Sequence, residues 1–318
     1  MGRSPDLLKV LRLVRKVACH RHPVLIMGET GTGKELVARA IHTQSPLKDK
    51  PFIPIDCGAL SPYLVESELF GHTRGAFTGA FQARTGLLAA AGRGTVFLDE
   101  VAELTLTVQS KLFRALQEYE IRPVGSNAPR YFEARIIAAT TLDLEEAVNR
   151  DVFRKELYFR LNVITVKLPP LRERTNDIPV LVEHFLEVHG DRERGVPKLS
   201  PEVGELLMDY HWPGNVRELE NCIKRALVVC SGPLIKASDL PPNIRMGSEH
   251  RDAEHRVTPL KELEQRAIMN ALRVTRGDCV RAAKLLGIGK TTIYRKIKEL
   301  GLANGLSPLS NDLRKENS

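Results

Sequence analysis

Residues 24–35 read VLIMGETGTGKE, and LVARAIH follows at 36–42. An apolar run of strand length, a loop with glycine at 28, 31 and 33, and a helix-compatible run constrain this chain more than any other feature. The glycines let backbone N–H groups turn inward around an anion, and the helix start adds partial positive charge. Strand, GxxxxGK and helix in that order form a P-loop, the cradle for a nucleotide's phosphates. Gly28, Glu29, Thr30, Gly31, Thr32 and Gly33 make the loop, Lys34 reaches the β- and γ-phosphates, and Glu35 and Leu36 open the helix. Glu35 stands where the general motif has a Ser or Thr hydroxyl for Mg²⁺.

The surrounding sequence supports the α/β class that a P-loop requires. Short apolar runs at 52–55 (FIPI), 95–99 (TVFLD), 134–140 (ARIIAAT) and 163–166 (VITV) alternate with helical patterns, predicting a mostly parallel sheet. TVFLDE ends on two carboxylates where open α/β sheets bind ligands. Asp99 is placed to hold Mg²⁺, and Glu100 to orient or deprotonate an attacking water. We expect an α/β core over 1–170, a helical subdomain over 171–240, a linker over 241–258, a basic helical module over 259–302 and a disordered tail over 303–318. Five cysteines without a CxxC pair argue against a zinc site or a disulfide framework and for a reducing cytoplasm. No apolar run approaches the length of a membrane span, so no membrane partner is expected.

Charge is unevenly placed. Residues 259–302 hold ten Lys or Arg against four acids, and this net +6 is most of the chain's +8. Within that module Ala282, Ala283, Leu285 and Leu286 fit one helix, Gly287-Ile288-Gly289 a turn, and Ile293, Ile297 and Leu300 one face of a second helix. The opposite face carries Thr291, Arg295 and Lys298, flanked by Lys290, Thr292 and Tyr294. This pattern predicts a helix-turn-helix that binds double-stranded DNA, with Arg295 on a guanine edge or a phosphate.

One loop resists the composition argument. Residues 75–80 read GAFTGA, a glycine density suited to a mobile segment, yet Phe77 sits in its middle. From the hexapeptide alone, the plainer reading is a turn whose Phe folds back on the core. GETGTGKE, GAFTGA, GRGTVFLDE, FRKELYFRLNV and WPGNVRELEN, in this order, overturn that reading. Together they resemble the bacterial enhancer-binding activators of sigma-54 RNA polymerase, a branch of the AAA+ ATPases. The resemblance runs from about residue 2 to residue 302 and ends in a Fis-type helix-turn-helix. No sensory or receiver domain is expected within this sequence, whether the chain is natural or a fragment.

The resemblance implies further roles. Gly75, Ala76, Phe77, Thr78, Gly79 and Ala80 become the tip of a loop that touches sigma-54, supported by a second loop near 119–131. Arg154 and Arg160 resemble arginine fingers entering a neighbouring subunit's ATP site, where an unpaired guanidinium stabilises the transferring phosphoryl group. Arg217 resembles the lid arginine that senses nucleotide. Glu35 after the lysine is habitual in this family. Asp56 stands where the family usually has the Asn that bonds the catalytic Glu, so repulsion between Asp56 and Glu100 is expected. Thr141 stands where Asn is frequent. The implied function is an ATPase that binds enhancer DNA, assembles into a homo-oligomeric ring (a hexamer when active, a dimer when inactive) and remodels the closed complex of RNA polymerase. The rival readings are a DNA-binding repressor using ATP only to oligomerise, whose relatives lose GAFTGA, and an AAA+ chaperone or motor, which the terminal helix-turn-helix opposes.

Overall fold

The computed structural model of the chain describes residues 2–59, 62–191, 195–245, 260–275 and 277–299. Two compact units divide near residue 247 and are described separately. In the first, β1 (Val24–Met27), β2 (Phe52–Asp56), β3 (Thr95–Asp99), β4 (Arg135–Thr140) and β5 (Ile164–Lys167) form one parallel sheet in the order β2-β3-β4-β1-β5. Every residue of β4 is buried, as expected for an inner strand covered on both faces. Register sets Asp56 beside Asp99, so two acids meet at the C-terminal edge of the sheet.

Helices cover both faces. Helix α1 (Pro5–Ala18) starts on a Ser4 cap followed by proline, and buries Leu7, Val10, Val14 and Val17 at helical spacing. They meet Ile26, Ile137 and Val166, together with Val37, Ala38 and Ile41 of α2 (Lys34–Thr43). The buried Arg135 donates to Ala18 O at 3.1 Å and Val17 O at 2.7 Å, closing the last turn of α1. On the other face α3 (Pro62–Phe70) and α4 (Leu106–Glu118) pack on Leu25, Val96, Leu98, Ile136 and Ala138.

The helical lid gathers α5 (Ile178–His189), α6 (Pro201–Asp209) and α7 (Asn215–Val229) around the fully buried Trp212, whose Nε1 donates to Leu207 O at 2.9 Å. Leu219 and Ile223 point into this core. A two-residue parallel pairing, Lys198–Leu199 with Leu234–Ile235, also lies here; it is too short to leave a period in the sequence. The helix Pro242–Arg245 buries Ile244 against the lid, so the first residues assigned to the linker belong to this packed unit. The rest of that linker and the tail beyond 299 lie outside the described residues.

The second unit holds α8 (Leu260–Val274), α9 (Cys279–Leu285) and α10 (Lys290–Glu299). Asp278 caps α9 by accepting from the N–H groups of Val280 at 2.9 Å and Arg281 at 3.0 Å. Gly287, at φ 65°, makes the left-handed turn between α9 and α10. Ile268, Leu272, Ala282, Ala283, Ile293 and Ile297 form its core, whereas Leu285, grouped with them by spacing, is 65% exposed. Leu300 lies outside the described residues. Among the described residues no helix is long and apolar enough to cross a membrane.

Candidate active site

The P-loop leaves β1 with Gly28 N–H donating to Thr140 O at 3.3 Å. Lys34 is buried; its Nζ donates to Gly28 O at 3.0 Å and pairs with Glu100 Oε1 at 3.0 Å. Glu100 sits at φ 51°, ψ 52°, a left-handed conformation uncommon for a residue with a Cβ. Its second oxygen, Oε2, accepts from Thr141 N–H at 3.0 Å and from Thr141 Oγ1 at 3.1 Å. The acid is thus held between the P-loop lysine and Thr141. Asp99 Oδ1 accepts from Glu100 N–H at 3.1 Å. Burial, then the neighbouring Glu100 charge, pushes the Asp99 carboxyl above the usual range. A half-buried carboxylate beside another acid is suited to a hard cation, which relieves both penalties.

These groups open onto one cleft of about 520 Å³ between the sheet edge and the lid. Thr30, Gly31, Gly33, Lys34, Glu35, Leu36, Asp56, Asp99, Glu100, Thr141 and Arg217 line it. Gly28, Glu29 and Thr32 form the rest of the loop without lining it. The surroundings of Asp56 differ from those expected. Asp56 Oδ1 accepts from Gly58 N–H at 2.9 Å and Ala59 N–H at 3.1 Å, an Asx turn that pins its own loop. Thr141, not Asp56, bonds Glu100. The Glu35 carboxylate takes two bonds from Arg39, at 3.0 Å and 2.8 Å, and the Arg39 guanidinium lies 4.9 Å over the Phe52 ring. Beside the acids, burial raises the Cys57 thiol to about 12, which keeps it protonated.

The lid meets the back of the P-loop through residues that sequence reasoning missed. Arg172 bonds both oxygens of Glu29, at 2.8 Å and 2.6 Å, and holds that carboxyl below the usual range. Asn215, buried at φ 52°, and the buried Arg174 also reach the loop. The only signal for Asn215 was its place in the WPGN turn, where Asn tolerates a left-handed backbone.

Residues 1–167 match the sigma-54 interaction domain, 172–257 the AAA+ ATPase lid domain, and 259–300 the Fis family of bacterial regulatory proteins. The chain belongs to the family of sigma-54-dependent transcription activators. It is 45% identical over 301 residues to the transcriptional regulatory protein ZraR of Klebsiella oxytoca, spanning 93% of this chain and 68% of that protein. To the response regulator protein PilR of Pseudomonas aeruginosa it is 42% identical, over 95% of this chain and 69% of the other. The crystal structure of NtrX from Brucella abortus is similar with a TM-score of 0.74 and 32% identity, covering 95% of this chain and 69% of that one. NtrX in complex with ATP gives a TM-score of 0.73 at 31% identity. The fold is therefore that of an AAA+ P-loop ATPase with a helical lid and a C-terminal helix-turn-helix, and an AAA+ sigma-54 activation domain implies ATPase activity.

In this activator, GAFTGA forms a tight exposed turn. Gly75 N–H donates to Ala80 O at 2.9 Å and Ala80 N–H to Phe77 O at 3.0 Å. Gly75, Thr78 and Gly79 are exposed, Ala76 is half-buried and Ala80 is buried. Phe77 is 39% exposed and stands edge-on to His72, with ring centres 5.1 Å apart; it does not fold into the core. The hairpin Glu120–Ile121 with Arg130–Tyr131 carries the second loop, which binds the first through Thr73 N–H to Val124 O at 3.0 Å and Val124 N–H to Gly71 O at 2.8 Å. Gly125, at φ 80°, leaves no room for a Cβ, which would lie 2.7 Å from the Ala76 Cβ.

Neither Arg154 nor Arg160 lines the cleft of its own chain. Neither guanidinium is unpaired. Arg154 Nε donates to Leu106 O at 2.9 Å, while Arg160 gives Leu116 O two bonds, at 3.1 Å and 2.6 Å. On α10, the second helix of the helix-turn-helix, Lys290, Thr291, Tyr294 and Arg295 are exposed and Thr292 is half-buried. The Lys298 side chain lies outside the described residues. Arg295 makes only a long pairing with Glu299, at 3.8 Å, whereas Lys296 is tied to Glu264 at 2.7 Å. Among the described side chains of α10, Lys290 and Arg295 are exposed basic groups and Lys296 is half-buried.

Proposed function

We propose that this protein binds ATP in the P-loop cleft, hydrolyses it, and uses the cycle to remodel the closed complex of sigma-54 RNA polymerase at promoters reached from enhancer DNA. The observation that carries the reading is the convergence of Lys34, Asp99, Glu100 and Thr141 on one cleft beneath the lid. Lys34 neutralises phosphate charge, and Arg217 approaches from the lid side. Glu100 takes the proton of the attacking water once phosphate draws Lys34 away from it. Asp99 is the group that would hold Mg²⁺, which supplies charge neutralisation at the phosphates. Arg154 and Arg160 serve a neighbouring copy's cleft in an oligomeric ring. Phe77 and Thr78 on the exposed tip contact sigma-54, and Lys290, Thr291, Thr292, Tyr294, Arg295 and Lys298 contact DNA.

The test uses the full chain, sigma-54 holoenzyme and a promoter template, scoring competitor-resistant open complexes with ATP. Wild type forms them. Thr78→Ala retains ATP hydrolysis and forms none, because the tip residues do not line the cleft. Loss of hydrolysis in step with open complexes would return the loop to the nucleotide site and refute the division of labour.

A further inference from the structure

Three consecutive carbonyls of the P-loop are held by donors from the lid side. Thr30 O accepts from Asn215 Nδ2 at 3.0 Å. Gly31 O accepts from the N–H groups of Val216 at 3.0 Å and Arg217 at 3.3 Å. Thr32 O accepts from Arg174 Nη2 at 2.9 Å. In a planar trans peptide the C=O and the following N–H point in opposite directions. Holding these carbonyls toward the lid therefore turns the next amides away from it. The Thr32 N–H closes a turn on Glu29 O at 3.3 Å, while Gly31 and Gly33 line the cleft.

The holders are themselves fixed. Asn215 Oδ1 accepts from Leu171 N–H at 2.7 Å, and its Nδ2 also donates to Glu29 Oε2 at 3.1 Å. Glu29 is in turn locked by both bonds from Arg172. Arg174 is 4% exposed and adjoins the buried Asp177, which accepts from Ser4 N–H at 2.7 Å and Ser4 Oγ at 2.8 Å. Gly31, at φ 78°, has no room for a Cβ, which would stand 2.2 Å from Gly214 O. The contact is thus close enough to transmit a displacement of the lid to the loop.

We propose that Asn215 and Arg174 are positioning residues for phosphate binding: the docked lid aims the P-loop amides, so cradle formation and lid docking are one coupled equilibrium. By linkage, phosphate that favours the aimed loop also favours the docked lid, and undocking the lid weakens phosphate binding by the same factor. The inference rests on the nucleotide reading of the cleft given above. It explains why donors from two lid segments converge on the carbonyls of the phosphate loop.

The test is Asn215→Gly in the full chain, a substitution that keeps the left-handed backbone and deletes the amide. Mg-ADP affinity is read by titration calorimetry and ATP turnover by phosphate release, on protein shown folded by circular dichroism. The variant loses the amide's bonds to Thr30 O, Glu29 and Leu171; release of the Thr30 carbonyl weakens ADP by about tenfold and raises KM alike, with kcat retained. A merely structural role would lower kcat with the active fraction and leave KM unmoved. Arg172→Ala, at the surface, releases Glu29 and decides the matter where Asn215→Gly does not fold; its expected loss is about threefold. Folded variants with wild-type ADP affinity and KM overturn the inference. A wild type that binds no ADP fails the proposed function and this inference together, whereas binding by wild type with unchanged variants fails the inference alone.

Discussion

Thr141→Val tests how Glu100 is restrained. Glu100 Oε2 is held by two donors on one residue, the Thr141 N–H at 3.0 Å and the hydroxyl at 3.1 Å, while Oε1 pairs with Lys34 at 3.0 Å. When phosphate draws Lys34 away, Thr141 is the remaining restraint. Valine matches threonine in shape and deletes only the hydroxyl. A hydrogen bond to a charged group contributes about 1.5–3 kcal/mol when buried. Thr141 is exposed and Glu100 partly so, which brings the figure to about 1 kcal/mol, or roughly fivefold in the population of freed carboxylate. The expected result is a rise of roughly fivefold in basal turnover at saturating ATP, with KM unchanged. Steady-state phosphate release without RNA polymerase measures it. A fall in turnover of similar size would show that the hydroxyl aims Glu100 during the reaction rather than parking it before.

Three other outcomes follow from the same geometry. Asp56→Asn keeps the Oδ1 that accepts from Gly58 and Ala59, so ATP turnover stays near wild type; its collapse would give the Asp56 charge a role of its own. Asp99 carries a raised carboxyl, so the folded chain holds this proton to higher pH than the unfolded chain, and the ionised group costs stability as pH rises from the ordinary Asp range through the raised value. Asp99→Asn therefore melts higher than wild type at neutral pH, with the gap closing toward pH of about 4, while Mg²⁺-dependent hydrolysis is lost; a variant that melts lower at neutral pH contradicts the burial argument. Mixing Arg160→Ala with Lys34→Ala, each inactive alone, restores ATPase activity, because one chain supplies the cradle and the other the arginine. Mixed assemblies without activity would place Arg160 in service of its own chain.

The parts of the site legible in the sequence are those whose chemistry fixes a local spacing. GETGTGKE and TVFLDE each set backbone shape and side-chain type within a few residues, and Lys34, Asp99 and Glu100 meet in one cleft. The parallel sheet was legible because each buried strand is a short apolar run between helical patterns. The partners of those residues were not legible, since they depend on contacts across the chain. Asp56 was expected to face Glu100, but an Asx turn two residues long satisfies it locally. Arg154 and Arg160 were expected to be unpaired, yet each finds a carbonyl near an end of α4, about 45 residues earlier in sequence, which no spacing rule reaches. Arg172, Arg174 and Asn215 looked like lid residues because their targets on the P-loop lie more than 140 residues away.

The position of α4 shows how cleft and loop belong to one device on the proposed reading. Its N-terminal end follows directly on Glu100 through the short turn Val101–Glu103 and the Thr105 cap. Its C-terminal end passes through Tyr119, at φ 56°, into the hairpin whose Val124 is hydrogen-bonded to the base of the GAFTGA loop. At 13 residues the helix spans about 20 Å, a rigid strut between Glu100 and the loop that carries the exposed Phe77. Arg154 bonds the carbonyl of Leu106 at its start, and Arg160 that of Leu116 in its last turn. An arginine drawn onto a phosphate in a neighbouring cleft must loosen one of those bonds. The same strut would then receive two signals of hydrolysis, from Glu100 within the chain and from the arginines serving the next one. Both signals would reach the loop through Tyr119 and Val124, whereas a loop mounted on the sheet itself would receive only the first.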